Sequence, residues 1–313
     1  MAKKIFKVDF TKAFKPVIIA YAAIFLAGIL VAVIFGINLD IDFRGGSRLS
    51  YTYSGEVKSA DFEKAIGTVI EESFDVTQSE ALAGDTTTFT INLVGKESLS
   101  AEDQDSIIKV LTEKFPDNKF ELRDSNSVSP SIAGTFLLKS LVAVLLSALL
   151  VVIYVGIRFR KIGGISAAVT SLIALVFDIL ISFFVCIFFR LQIDSNYIAV
   201  VLTLLGYSLN DAIVIFDRVR EDKRLYPQKD INTLMNDSLN VTVMRNIMTA
   251  LATFLAVMTI TLVSELYGIT TLRTFSIPMA FGIISGSAST LFISGPLWVI
   301  WKNYRAKKTG KKA

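Results

Sequence analysis

Apolar positions in this chain collect into six long blocks, near residues 17–36, 136–157, 162–189, 197–216, 242–263 and 276–300. A hydrocarbon core of about 30 Å takes about 20 helical residues to cross, so the pattern predicts six transmembrane helices. Between the first two blocks the period changes. A β-rich run, Arg48–Tyr53, is followed by a helix from Ser59 to about Phe74, and alternation returns at Val76–Ala81 and Thr86–Val94. A second helix opens at Ser100, with Asp103 as its capping-box-like partner. It ends near Phe115-Pro116, and Lys119–Arg123 reads as a last strand. The order βαββαβ predicts a ferredoxin-like α+β domain, a superfold that specifies no chemistry by itself. The expected fold class is membrane α-helical: six transmembrane helices with one extracytoplasmic ferredoxin-like domain between the first and second spans. The expected division is a tail plus first helix over 1–37, the outer domain over 38–135, a five-helix bundle over 136–301 and a basic tail over 302–313.

Charge gives the orientation. Nineteen Lys and Arg residues flank one set of helix ends, whereas the opposite short loops hold only Arg190 and Arg273. The positive-inside rule then places both termini of this multi-pass chain in the cytoplasm. Lys139 is expected to snorkel from the outer end of the second span. The first span follows Lys3, Lys4, Lys7, Lys12 and Lys15 but is too long for a signal-peptide core and lacks an A-x-A-like site, so it reads as an uncleaved anchor. The outer segment carries 18 Asp and Glu against 9 Lys and Arg, which reads as a solvated acidic face. The basic residues lie beside apolar segments, so they indicate topology and not nucleic-acid binding.

The chain is 52% hydrophobic and 19% charged, where a soluble domain has about 25% charged residues. It contains no His and one Cys. This argues against a His-based triad, His-ligated metal, an internal disulfide or a thiolate metal site. Gly95-Lys96 is followed by Glu97, so no P-loop is present. The expectation is a non-enzyme without a cofactor or metal. Cys186 reads as a small apolar filler.

Charges at membrane depth are costly and mark function by default. Asp178, Asp211 and Arg245 fall in spans three, four and five. Asp211 lies six residues from Asp217, about 9 Å above the basic end of its helix, and Arg245 lies eight from Asp237, about 12 Å above it. Opposite charges at matching depth on consecutive antiparallel helices are well placed to pair. Asp178 is deeper, with no cation near it in sequence. Each charge continues a polar stripe: Thr203, Tyr207 and Asp211 with Ser208 and Asn210 beside them; Thr242, Arg245, Thr249 and Thr253; and Ser171, Asp178 and Ser182. Residues three and four apart share a helix face, so these stripes are expected to meet in a hydrated path. Proton coupling through Asp211, Arg245 and Asp178 is one reading, with Tyr207, Ser208, Asn210 and Thr249 in support. A purely structural ion pair between spans four and five is the other. Gly282, Ser285, Gly286 and Ser289 share one face of span six, which predicts close helix packing. A polar sliding surface is the alternative.

Several segments resemble one family. Asp42-Phe43-Arg44-Gly45-Gly46 resembles the D-F-x-G-G turn after the first span of the SecD/SecF translocase family. Gly206-Tyr207-Ser208-Leu209-Asn210-Asp211, followed by Asp217-Arg218-Val219-Arg220-Glu221, resembles the more specific SecF signature of that family. Ser238-Leu239, Thr242, Arg245 and Thr249 resemble its next helix, and Gly286-Ser287-Ala288-Ser289 the small-residue motif of its last span. Val128-Ser129-Pro130-Ser131 resembles the V-G-P-S entry to span two, with Ser129 in place of Gly, and Phe177-Asp178 stands where the family often has His-Asp. The resemblance implies half of a resistance-nodulation-division transporter. It also implies an accessory role in Sec protein export, in which the proton gradient drives late preprotein movement. The implied location is the cell membrane, and the implied partners are a SecD-type subunit, the Sec channel complex, unfolded preprotein and protons. Membrane lipids are expected at the Lys-rich C-terminal tail, and no nucleic acid is expected. Asp211 and Arg245 match positions the family implicates in proton coupling. The rival readings are a proton-driven exporter of small molecules or lipids and a non-transporting scaffold subunit.

Overall fold

The computed structural model describes residues 8–70, 74–80, 86–94 and 101–309. Six helical segments among these residues are long and apolar enough to cross a membrane: α1 (Phe10–Phe35), α5 (Pro130–Arg158), α6 (Gly164–Phe188), α7 (Ser195–Leu225), α8 (Ile231–Tyr267) and the run Thr270–Lys308. The last run is broken by its hydrogen bonding. It comprises α9 (Thr270–Ser289), a π-helical turn at Thr290–Ser294 and α10 (Gly295–Thr309). α1 and α5 expose rows of Leu, Ile and Val, such as Ile19, Leu30, Leu138 and Leu145, as lipid-facing helices do. α6 and α9 supply the bundle interior.

α7 and α8 outrun their apolar blocks by about three turns toward the basic ends. Their polar extensions are held across the hairpin: Asp222 accepts from Ser238 Oγ at 2.7 Å and pairs with Arg218 at 2.9 Å. Lys223 and Arg224 in the last turn of α7 also complement its C-terminal dipole. The chain ahead of α1 is clamped to the same extension. Asn240 bonds both the N–H and the carbonyl of Val8, at 2.9 and 2.8 Å, and Asn236 accepts from the Phe10 N–H at 3.0 Å.

Between α1 and α5 lie α2 (Ile41–Arg44), β1 (Gly46–Ser54), α3 (Ser59–Ile66), β2 (Phe74–Glu80), β3 (Thr86–Val94), α4 (Ala101–Lys114) and β4 (Glu121–Val128). The strands form one antiparallel sheet in the order β2-β3-β1-β4. Leu49, Tyr51 and Tyr53 of β1 and Phe89, Ile91 and Leu93 of β3 share one face and pack on Phe62, Ile107 and Leu111 of α3 and α4. Phe62 stacks on Phe89 with ring centroids 4.0 Å apart.

Two boundaries differ from expectation, and a third is not described. The helix opening at Ser59 stops at Ile66, where Gly67 bonds back to Glu63, and Phe74 begins a strand. The last strand starts at Glu121, because Lys119 takes a left-handed φ of 40° that a strand does not accommodate. Ser100, the proposed capping residue of the second helix, lies outside the described residues.

The sequence reading omitted α2, which joins domain to bundle. Phe43 packs on Phe136 of α5 at 5.6 Å. Gly45 has φ +75°, and a Cβ there would sit 2.6 Å from Pro130 Cα, so both backbone angle and space require glycine. The two short motifs Asp42–Gly46 and Val128–Ser131 therefore meet at one joint. Leu39 bridges Ile193 of the α6–α7 connection, with hydrogen bonds of 3.0 Å from Asp40 N–H and 2.8 Å to Asn38. The buried Asp40 carboxylate pairs with Arg48 of β1 at 2.6 Å. Burial pushes the Asp40 carboxyl above its usual range, and Arg48 opposes that shift.

Candidate functional site

The polar centre of the bundle is built around Asp178, a fully buried carboxylate on α6. Ser208 of α7 donates to its Oδ2 at 2.9 Å and Ser285 of α9 donates to its Oδ1 at 2.8 Å. Each serine sits on a helix that the carboxylate must hold in register, so Asp178 ties three spans together. Ser289 lies one turn further along α9; its hydroxyl donates to the Gly286 carbonyl at 3.2 Å. Gly286 makes this approach possible: a Cβ there would stand 2.5 Å from Ser208 Oγ and 3.5 Å from Asp178 Oδ2. Gly282, one turn earlier, admits Leu204 in the same way, at 2.5 Å. These small residues pack closely, and they pack around a carboxylate.

Asp211 is also buried, on the same helix as Ser208, and its charge acts on Asp178. Its side chain accepts no hydrogen bond among the described residues, and its Oδ2 is enclosed. An ionised carboxylate so placed is costly. The expected direct pair with Arg245 is absent. Arg245 acts on Asp211 only through space. Its side chain is exposed and lines an open cleft of about 1180 Å³ together with Asn210, Asp217, Arg158 and other residues of the basic ends. Counting residues from the helix ends gives height and not azimuth. Asn210 points into the cleft while Asp211, one residue and 100° further round, points inward. Within the cleft Asp217 is taken up by Arg158 at 3.2 Å and Arg220 at 2.8 Å.

The expected polar stripes meet only in part. On α8, Thr249 and Thr253 bond to their own helix, at the Arg245 and Thr249 carbonyls, both at 2.9 Å. The enclosed Tyr207 hydroxyl makes no well-formed hydrogen bond, but it lies beside the Thr249 and Thr253 hydroxyls of α8, so the stripes of α7 and α8 do face each other there. The Ser171 hydroxyl is unpartnered, and Ser182 joins Tyr197 at 3.2 Å in a separate contact nearer the α+β domain. Ser208, Ser285, Gly286 and Ser289 are brought to Asp178; Arg245, Asn210 and Thr249 are not.

One participant carried no recognised signal. Tyr21 of α1 is buried, and its hydroxyl lies 3.1 Å from Ser285 Oγ and 3.3 Å from the Ser285 carbonyl. Its ring packs on Phe177 at 5.2 Å. A tyrosine in mid-span between alanines, two turns before Gly28, was the available clue.

Comparison with known proteins gives the setting. Residues 107–304 match the family described as protein export membrane protein SecD/SecF, C-terminal. Protein translocase subunit SecF of Alicyclobacillus acidocaldarius is 30% identical, over 97% of this chain and 97% of that protein. Protein translocase subunit SecDF of Bacillus subtilis is 32% identical over 96% of this chain, which spans only 39% of that longer protein. Among solved structures, SecDF from Thermus thermophilus, a translocon-associated membrane protein, matches with a TM-score of 0.79 and 27% identity, covering 97% of this chain and 40% of that one. SecDF in its super-membrane-facing form matches with a TM-score of 0.67 and 27% identity, over 98% of this chain and 40% of that one.

Proposed function

The chain belongs to the SecD/SecF family of protein-export membrane proteins, and on that premise we propose that it is a SecF-like accessory subunit of Sec export, driven by the proton gradient. It works with a SecD-type partner, which supplies the other half of the span that SecDF proteins hold in one chain, and with the Sec channel complex. It acts on unfolded preprotein late in translocation, on the outer side. Both termini face the cytoplasm, by the asymmetry of Lys and Arg. The outer domain is ferredoxin-like, a class in keeping with its βαββαβ order and 2-3-1-4 sheet. No bond-making chemistry is assigned to the chain.

The observation that carries the reading is a pair of buried carboxylates, Asp178 and Asp211, which among the described residues have no direct cation partner inside a bundle of six candidate spans. Charge held there is costly, so its gain or loss is coupled to which side admits water. Asp211 takes up and releases the proton, and Arg245 at the cleft modulates it as α7 and α8 shift. Asp178, caged by serines, communicates with both. A proton-driven exporter is less favoured, because such exporters need outer domains large enough to form a conduit and here only about one small domain is available. A scaffold role is separated by one experiment. Asp211→Asn keeps the shape and cannot titrate. In membrane vesicles with the partner subunit it should assemble normally and lose the gradient-dependent part of preprotein export. Normal gradient-dependent export by this variant would favour the scaffold.

A further inference from the structure

The first membrane helix is the covalent route from the bundle to the outer domain, and past its clamped start it is packed along one narrow seam. Of its 26 residues only Phe10, Tyr21 and Gly28 are buried. Tyr21, Phe25 and Gly28 face α6: Phe25 packs on Phe177 at 5.3 Å and Phe184 at 5.7 Å, and the bare Gly28 lets Phe184 approach. Within this seam the Tyr21 hydroxyl is the polar group, and it reaches the hydroxyl that caps Asp178.

We infer that Tyr21 is a positioning residue that reads the protonation state of Asp178 through Ser285 and passes it to α1 and the outer domain. This rests on the proton-coupling reading above. The geometry gives two hydrogen-bond patterns. With Asp178 ionised, the carboxylate accepts from both serines, so the Ser285 O–H is committed to Oδ1. Ser285 Oγ then offers only lone pairs, and Tyr21 donates to it across 3.1 Å. With a proton added to Asp178 from solvent, the acid O–H becomes a donor and Ser285 Oγ its acceptor. The Ser285 O–H then turns away, and the Tyr21 O–H has a second acceptor already in reach, the Ser285 carbonyl at 3.3 Å. The proton stays on Asp178 throughout; only the direction of the chain reverses. Tyr21 and Asp211 are the titratable groups that bear on Asp178 among the described residues. Among the described residues no cation acts on Asp178.

The test is infrared spectroscopy of the purified full chain in lipid nanodiscs, with the carboxylic-acid band of Asp178 assigned by its loss in Asp178→Asn. Tyr21→Phe keeps the ring packed on Phe177 and removes only the hydroxyl. It should displace the band, and it should cause no further displacement when Ser285→Ala is already present. In vesicles with the partner subunit it should cut gradient-dependent export at least about fivefold, the equivalent of about 1 kcal/mol, with assembly unchanged. An unmoved band, an equal shift in the Ser285→Ala background, or the absence of any titrating Asp178 band overturns the relay. Full gradient dependence in Tyr21→Phe overturns its transmission to α1. A displaced band in a protein whose export never depends on the gradient keeps the relay and removes the proposed function instead.

Discussion

Replacing Gly286 by alanine should destabilise the protein, against the ordinary preference of helices. Gly→Ala in a helix interior normally gains about 1 kcal/mol. Here the new methyl would lie 2.5 Å from Ser208 Oγ, while the Ser208 Cβ itself is 3.6 Å away. The clash is therefore with the hydroxyl alone. To escape, the hydroxyl must rotate off Asp178 and forfeit its 2.9 Å bond. A hydrogen bond to a charged group contributes about 1.5–3 kcal/mol, and residual overpacking costs about 1–3 kcal/mol more. Less the propensity gain, Gly286→Ala should lose about 1.5–5 kcal/mol. Adding Ser208→Ala removes the clashing oxygen but not the loss at Asp178, so the double variant should regain the overpacking share, about 1–3 kcal/mol. The assay is reversible unfolding of the full chain and the three variants in one detergent, read as a double-mutant cycle. If Gly286→Ala is as stable as the parent, or if the two substitutions simply add, the close approach of α9 to the Asp178 cage is wrong.

Other tests follow from features further out. With Cys186 replaced, a cysteine introduced at position 85 should react with an impermeant reagent from outside and one at position 230 only from inside; the reverse at either site would refute the orientation. Residues 40–128 expressed alone should show mixed α/β circular dichroism and a cooperative melt, because the domain has its own core around Tyr51, Phe62 and Phe89. Asp9 caps α1, and hydrogen bonds from the Thr11 hydroxyl first, then the Lys12 amide, hold its carboxyl well below its usual 3.8. Its folded-state pKa is depressed, so its contribution is present above about pH 4 and fades as the pH falls. Proteolysis of the tail ahead of Asp9 should therefore accelerate on acidification, and in Asp9→Asn this part of the pH dependence should vanish.

The six spans and the alternating strands were legible because each depends on a run of residues and tolerates errors at its ends. β4 was underestimated because it is a polar edge strand: exposed Asp124, Ser125 and Asn126 carry no alternation to read. α2 is a single turn whose glycine constraint comes from Pro130, far along the chain. At the site, Asp178, Asp211, Ser208 and Gly286 stood out as polar or small residues in apolar blocks. Their grouping did not, since it depends on the azimuth of each helix. Arg245 shows the limit most clearly: its depth matches Asp211, and its side chain faces the cleft. Tyr21 was passed over because one hydroxyl barely alters the apolar character of a span.

The long α7–α8 hairpin has a mechanical consequence. Asn232 accepts from Asn303 of α10 at 3.3 Å, and the clamps at Asp222, Asn236 and Asn240 leave its tip little freedom to bend apart from the helices beneath. From Asp211 to the turn at Tyr226 is about 15 residues, or about 22 Å of helix. A tilt of about 5° pivoting at Asp211 would thus displace the tip by about 2 Å, a distance that breaks any hydrogen bond spanning it. Were α7 to pivot at Asp211, the hairpin would act as a lever, and a small rearrangement among packed side chains would reach its tip enlarged.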